Sequence, residues 1–311
     1  MQLRGSNVIG FLYKEEANMK IAFLSDGRDW AYFIAKELLA IKNKKWNIDQ
    51  IVTTPEILFP RYPIDRLRIQ TKIIDPKELL EIYSEAFFDG FDILLFYGWS
   101  WIVPAEIVKT KICICLHPSP LPKYRGGSPI QHQIINGETE SMVSLFQMTE
   151  KLDDGPVYKQ KPLSLEGHLK DIIHRIGDVG LNATIEMLDE LADGKLKPIQ
   201  QNESQATVYK RRKKSESELT EEKLRKMGST QLFNFICSLE DPYPNAYTKI
   251  ADGKIFFKRV EITAVKEQGN ILSVMELKNI NKDQAKKLLE QNLILKCIDG
   301  GHIEIQEAIV E

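Results

Sequence analysis

Cys115-Leu-His-Pro-Ser-Pro-Leu-Pro-Lys-Tyr-Arg-Gly-Gly-Ser-Pro-Ile-Gln131 is the stretch that decides how this chain folds. It opens as the end of an apolar strand, residues 112–116. It then carries four prolines, a glycine pair and His117. Proline fixes φ and has no N–H to donate, so the stretch is neither helix nor inner strand. A long, stiff loop leaving a buried strand is where open α/β sheets place their chemistry.

Upstream of this loop, apolar runs and helical periods alternate. Residues 20–25 read as a buried strand, 26–29 as a turn and 30–41 as a helix. Residues 49–54 form a second strand, and 54–68, with three prolines, a loop. A helix over 77–88, a strand over 92–97 and a short helix after Pro104 lead back to the strand at 111–116. This βαβ spacing predicts a parallel-rich sheet. Gly27 stands alone after the first strand, so the glycine pattern of a standard dinucleotide site is missing.

Downstream, a short helix spans 129–136. Strands at 141–148 and 156–163 flank the polar loop 149–155. An amphipathic helix spans 169–191, closed by Gly194 and Pro198. From residue 200 the composition turns polar, with the basic run Lys210-Arg-Arg-Lys-Lys214. A helix at 230–239 follows, then short strands at 246–250, 254–262, 292–298 and 302–305, the pattern of a small β-barrel. The expected organisation is an N-terminal extension (1–18), a catalytic domain (19–199), a linker (200–228) and a C-terminal OB-like domain (229–311).

The 311 residues carry a net charge of -2, which argues against a general nucleic-acid binder but not against a local basic patch. No apolar run reaches transmembrane length, and the first eighteen residues lack a signal peptide's apolar core. Of the four cysteines, Cys113 and Cys115 sit two apart, a spacing that suits neither a disulfide nor a metal knuckle, and the set reads as reduced thiols of a cytoplasmic protein.

His117 can take or give a proton near neutrality. The plainer reading is a histidine that caps a strand end. A general-base histidine is usually oriented by a carboxylate, and Asp153 and Asp154 offer one, unless they only form an Asp-Asp-Gly turn. Gln131, His132 and Gln133 lie one short helix away. His168, His174 and His302 have no cluster partner in sequence and read as surface or packing residues. No spacing resembles a zinc site, a nucleophile elbow or a phosphate loop. The residues by themselves lead to an α/β enzyme with an active loop at a strand end.

The motifs in order resemble the formyltransferase family that uses 10-formyltetrahydrofolate. That family includes methionyl-tRNA formyltransferases, glycinamide ribonucleotide transformylases and sugar N-formyltransferases. It carries Asn-x-His-Pro-Ser-Leu-Leu-Pro, then an Arg-Gly step and a Leu-Asp-x-Gly loop. Here His117-Pro-Ser-Pro-Leu-Pro122, Tyr124-Arg-Gly-Gly-Ser-Pro-Ile130 and Leu152-Asp-Asp-Gly155 stand in those places. Residues 136–140, 206–212 and 241–248 resemble the family's connecting segments, so the resemblance covers about 19–310.

The resemblance implies a Rossmann-like formyltransferase domain followed by an OB-like one, with 10-formyltetrahydrofolate as co-substrate and no metal. It implies His117, Asp153 and position 115 as the catalytic set. Phe96, Tyr97, Gly98, Trp99, Leu152, Asp154 and Gly155 are the expected folate-site residues. Ser119, Arg125, Gly126 and Gln131 are expected toward the amine substrate. One departure stands out: Cys115 occupies the place of the family's asparagine, and a thiol is only a weak donor. Three readings follow: a tolerated replacement with reduced activity, a donor supplied by Gln131 or Gln133, or folate and nucleotide-sugar binding with turnover lost.

As acceptor, the resemblance is closest in character to sugar N-formyltransferases, which implies a nucleotide-linked amino sugar. The segment 55–68 is shorter and less basic than the insertion usual in methionyl-tRNA formyltransferases. Initiator methionyl-tRNA ranks second, on the strength of Lys210–Lys214. Release of formate to water is a further alternative. A cytoplasmic enzyme without a membrane partner is expected, with the sheet-end faces and the C-terminal barrel as surfaces for a homodimer.

Overall fold

The computed structural model describes residues 18–54, 67, 69–74, 85–264 and 270–311. The expectations for the N-terminal extension, and for most of 54–68 and 77–84, lie outside the described residues. Two compact units emerge. One comprises Met1–Pro129, Glu140–Ser164 and Ile173–Tyr209; the other comprises Ile130–Thr139, Leu165–Ile172 and Lys210–Glu311.

The first unit is built on a seven-stranded sheet. Its strands are β1 (Met19–Ser25), β2 (Trp46–Thr53), β3 (Thr71–Ile73), β4 (Ile93–Tyr97), β5 (Ile112–His117), β7 (Glu140–Gln147) and β8 (Val157–Ser164), in the order β3-β2-β1-β4-β5-β7-β8. The strands β1 to β5 pair in parallel, while β7 and β8 are antiparallel. This is the expected α/β class with a parallel-rich sheet.

The central strands are apolar without alternation because both faces are covered, the usual condition of parallel sheets. Every residue of β4 is buried. Pro162 lacks a ladder donor, which fits β8 as an edge strand. Helix α1 (Asp29–Ala40) buries Trp30, Ala31, Ile34, Ala35 and Leu38.

The long helix Leu169–Ala192 presses two glycines onto this unit. A Cβ at Gly180 would come within 2.7 Å of the Leu116 side chain and 2.9 Å of Ile34. The small residue lets the helix lie directly against the strand that ends in His117. Chain order reverses between β1 and β4, so the loops leaving those strands flank a topological switch point, where open α/β sheets bind ligands.

The second unit holds a five-stranded sheet of β10 (Ala246–Ile250), β11 (Gly253–Thr263), β14 (His302–Val310), β13 (Leu293–Lys296) and β12 (Asn270–Ser273), in that order. The expected fold class included such a separate C-terminal β sheet, here in a unit that begins at Lys210 and also takes in Ile130–Thr139 and Leu165–Ile172. The helix Ser229–Cys237 packs Leu232, Phe235 and Ile236 into its core, beside Ile255, Phe257 and Ile303.

Two elements here were not legible as periods. Strand β12 is only four residues long. The helix Lys282–Glu290 fully buries only Ala285, with Leu288 and Leu289 packed against the core beside it, so its apolar stripe is three residues long. Its start was nonetheless written in sequence: Asn281 and Gln284 cap each other reciprocally, both bonds at 2.9 Å.

Candidate active site

His117 is the last residue of β5 and is 5% exposed. Strand pairing to Ser144 of β7 fixes its backbone. Beyond it, the proline loop is tied down by its own atoms. The Ser119 hydroxyl donates to Lys123 O at 2.8 Å, the Ser144 hydroxyl to Ser119 O at 2.5 Å, and the Gln160 amide to Leu121 O at 2.9 Å. Ser119 is fully buried and acts as a fastener of the loop.

Tyr124 sits in the left-handed region at φ 60, which turns its carbonyl toward the histidine. His117 Nε2 donates to Tyr124 O at 2.8 Å. On the other side of the ring, Nδ1 lies 3.6 Å from Asp153 Oδ2, an ion-pair distance too long for a hydrogen bond. Asp153 Oδ2 in turn accepts the Gly126 backbone N–H at 2.7 Å. Asp153 is itself left-handed, at φ 50, a conformation rare for residues other than glycine, asparagine and aspartate.

Gly126 cannot be replaced freely. Its φ is +96, and a Cβ there would stand 2.2 Å from Tyr209 O. That closeness comes from β6 (Arg125–Gly126), which pairs in parallel with β9 (Val208–Tyr209). Arg125 is 4% exposed, and its guanidinium is committed to Gln201 Oε1 and to both oxygens of Glu203. Gly155 is equally confined, since a Cβ would meet Gln147 O at 1.8 Å.

Cys115 is half-buried, two residues before His117, and packs with Met148 against Leu121, Phe146 and Val157. Burial first, then the Asp153 carboxylate, holds its thiol well above the ordinary cysteine range, with Arg28 opposing weakly. The group is therefore an S–H, able to donate weakly, and not a thiolate nucleophile.

The remaining expected residues divide. Phe96 and Tyr97 are fully buried; the Tyr97 hydroxyl bonds Thr184 Oγ1 at 2.8 Å, and burial pushes its phenol well up. Trp99 is half-buried and edge-on to Phe96 and to Trp101. Gly98 has φ +67, and a Cβ there would touch Arg28 Cδ at 3.0 Å. Leu152 is 60% exposed, and Asp154 accepts the Thr149 hydroxyl. Gln131 belongs to the second unit, is 3% exposed, and its amide nitrogen has no hydrogen-bond partner among the described residues.

Sequence reasoning missed several members. Arg28 donates to Asp26 Oδ1 at 3.2 Å and to Ser100 Oγ at 3.1 Å, and Ser100 Oγ donates to Asp26 Oδ2 at 2.7 Å. This polar knot joins the loops after β1 and β4 at the switch point. Its only signal was the turn Asp26-Gly-Arg-Asp29. Gln201, Glu203 and Thr207 were read as linker and belong to the first unit.

His168 also departs from its expectation, because it does have partners. Its Nδ1 bonds Glu240 Oε1 at 2.6 Å and its Nε2 bonds Glu261 Oε1 at 2.8 Å, partners 72 and 93 positions away that no spacing reveals. His168, Glu240 and Cys237 offer three ligand atoms within 4.8 Å of one another. The 2.6 Å separation is a hydrogen bond, shorter than the roughly 3.3 Å edge that zinc–ligand lengths would give a tetrahedron. Cys237 Sγ is spent on Gly167 O at 3.2 Å. The cluster is accounted for as a histidine clamped between two carboxylates.

Among the described residues no helix is long and apolar enough to cross a membrane. A family model described as formyl transferase matches residues 19–188. The methionyl-tRNA formyltransferase of Mycoplasma capricolum is 26% identical over 253 residues, which span 79% of this chain and 76% of that protein. The solved methionyl-tRNA formyltransferase of Clostridium thermocellum superposes with a TM-score of 0.62 at 25% identity, covering 80% of this chain and 95% of that one. A 4-N formyltransferase from Francisella tularensis gives 0.60 at 18% identity, over 75% and 93% of the two chains. HypX from Aquifex aeolicus, solved with tetrahydrofolic acid, gives 0.66 at 15% identity, over 94% and 44%.

Proposed function

Because this chain belongs to the formyl transferase family and is a formyltransferase, we propose that it moves the formyl group of 10-formyltetrahydrofolate to the amino group of a nucleotide-linked amino sugar. The observation that carries formyl transfer is His117. Its Nε2 is occupied by Tyr124 O, so Nδ1, facing Asp153, is the nitrogen left for proton exchange.

In this reading the amine forms a C–N bond to the formyl carbon, and negative charge grows on the formyl oxygen. A proton on Nδ1 stabilises that oxygen, a contribution of ~3–4 kcal/mol for a well-placed donor. The Cys115 S–H, which points to Leu116 O at 3.6 Å, adds a weaker one only by turning from that carbonyl. Asp153 keeps the ring oriented and is itself the base that receives the amine proton. That proton then passes to the folate nitrogen as the C–N bond to the carrier breaks. Bound folate supplies a formyl group already activated on nitrogen.

Local surface fits such a ligand. Trp99 and Trp101 are half-buried beside Ile102, which is 93% exposed, directly after the strand that ends at Tyr97. An apolar, ring-bearing ligand would cover them.

Charge is what favours the sugar acceptor in this reading. Residues 210–311 carry 18 lysines and arginines against 16 aspartates and glutamates, far from the excess that phosphate neutralisation along a tRNA asks for. A second reading, initiator methionyl-tRNA, has its own support. Lys210, Arg211, Lys213 and Lys214 are exposed, and the relative from Mycoplasma capricolum is a methionyl-tRNA formyltransferase.

Tetrahydrofolate release from 10-formyltetrahydrofolate, measured with a panel of dTDP- and UDP-linked amino sugars and with initiator methionyl-tRNA, decides between them. Release with a sugar and not with the tRNA is expected. Release with the tRNA, with binding that weakens steeply in salt, moves the assignment to the second reading. Release with no amine present makes the protein a formate-releasing hydrolase, and folate binding without release makes it a binding protein.

A further inference from the structure

We propose that Gln201 is the positioning residue of this site, holding Asp153 in register with His117. The inference rests on the assignment of Asp153 above. Asp153 has a left-handed backbone, and such a conformation persists only where surrounding bonds over-determine it. Its carboxylate is held by the Gly126 N–H. Its main chain is held by Gln201, whose Nε2 donates to Asp153 O at 2.9 Å and to Gly155 O at 2.7 Å.

The amide cannot be turned around. Gln201 Oε1 accepts from Arg125 Nε at 3.1 Å and Nη2 at 2.8 Å, and a guanidinium only donates. The oxygen therefore faces Arg125 and the NH2 faces the two carbonyls. Arg125, pinned in turn by Glu203, is the anchor and Gln201 is the arm.

The same segment also holds the histidine's other neighbour. Thr207 Oγ1 accepts from Tyr124 N at 2.8 Å, and the Tyr124 and Tyr209 rings stack at 5.0 Å with an interplanar angle of 13°. Residues 201–209 thus brace both groups that bracket the imidazole, although they lie some 80 positions beyond it in the chain. A connection between domains needs no such commitment. A brace for two strained turns does.

The test is Gln201→Met, which keeps the side chain's bulk and removes all four hydrogen bonds. Steady-state kinetics use 10-formyltetrahydrofolate with whichever acceptor of the panel turns over. We expect kcat to fall about 10- to 100-fold, the penalty for a slightly misplaced catalytic group. We expect KM for the folate to stay within about twofold, since uniform binding is untouched. In an Asp153→Asn background the same change should cost less than threefold. Unchanged kcat, or an undiminished loss in that background, overturns the inference.

Loss of activity in Asp153→Asn with full activity in Gln201→Met sinks the positioning role alone. Full activity in Asp153→Asn sinks the assignment of the site instead. A second arm needs no acceptor. Nitrogen-15 NMR of the His117 ring in Gln201→Met should show a displaced Nδ1 resonance, with melting within a few degrees of the parent. A ring spectrum identical to the parent's overturns the inference even where no amine is turned over.

Discussion

His117 Nε2 and the Tyr124 carbonyl oxygen are 2.8 Å apart, and a carbonyl can only accept. The bond therefore places a hydrogen on Nε2, and in the proposed reaction it leaves Nδ1 as the nitrogen that exchanges a proton. Replacing His117 by Ala should lower kcat by about 10²–10⁴, the range of general acid–base catalysis. Comparing kcat with the folate's dissociation constant checks this: the first should collapse while the second moves little.

Asp153→Asn separates charge from shape. Asparagine tolerates the left-handed backbone and keeps an oxygen for the Gly126 N–H, so folding should be preserved. Only the negative charge beside Nδ1 is lost. We expect kcat to drop about 10²-fold or more with an unchanged melting curve. A drop accompanied by unfolding would point to scaffolding instead.

Cys115→Asn should raise kcat, because an amide N–H donates better to an oxyanion than a thiol does. A gain of about 10-fold, roughly 1.4 kcal/mol, is a reasonable size for one improved donor. A slower Cys115→Asn enzyme would show that the site has been rebuilt around sulfur. Because burial raises the thiol, Cys115 should also resist iodoacetamide between pH 7 and 8.5, which peptide mass spectrometry can follow.

Gly126→Ala should destabilise the first unit by about 2–3 kcal/mol, from a disfavoured backbone plus a clash with Tyr209 O. Gly137→Ala, at φ +82 but with open space around it, should cost only about 1 kcal/mol. Urea midpoints of the two variants give the comparison.

The second unit should weaken as pH rises. Burial alone would lower His168, but its hydrogen bonds to Glu240 and Glu261 outweigh that and raise it, with Arg259 opposing. Stability from a raised histidine is complete below its unfolded value, about 6.5, and is lost as pH climbs through the folded one. Glu240 is raised by burial in spite of the histidine, so it too favours the lower-pH side. Denaturation midpoints from pH 6 to 9 should therefore fall, and His168→Gln should flatten the slope. Cys237, the other titratable neighbour, is pushed up by burial to about 12 and does not enter this window.

Much of this was readable beforehand, for identifiable reasons. The strand into His117 and the proline loop declare themselves locally, and the Leu152-Asp-Asp-Gly155 turn carries its own chemistry. The antiparallel β7 and β8 were legible as strands but not in direction, since pairing sense depends on partners. The braces were hidden. Gln201, Glu203 and Thr207 look like linker residues because their bonds run to Arg125, Tyr124 and Asp153, 48 to 83 positions away. Arg125, expected at the substrate mouth, is turned inward by those bonds.

The frame around His117 consists largely of main-chain atoms: the Tyr124 carbonyl, the Gly126 N–H, and the Asp153 and Gly155 carbonyls. Mutation cannot delete a peptide group. A substitution at a side-chain position such as 115 therefore leaves every one of these peptide groups in the chain, so the histidine's setting is written in the backbone path more than in its neighbours' side chains.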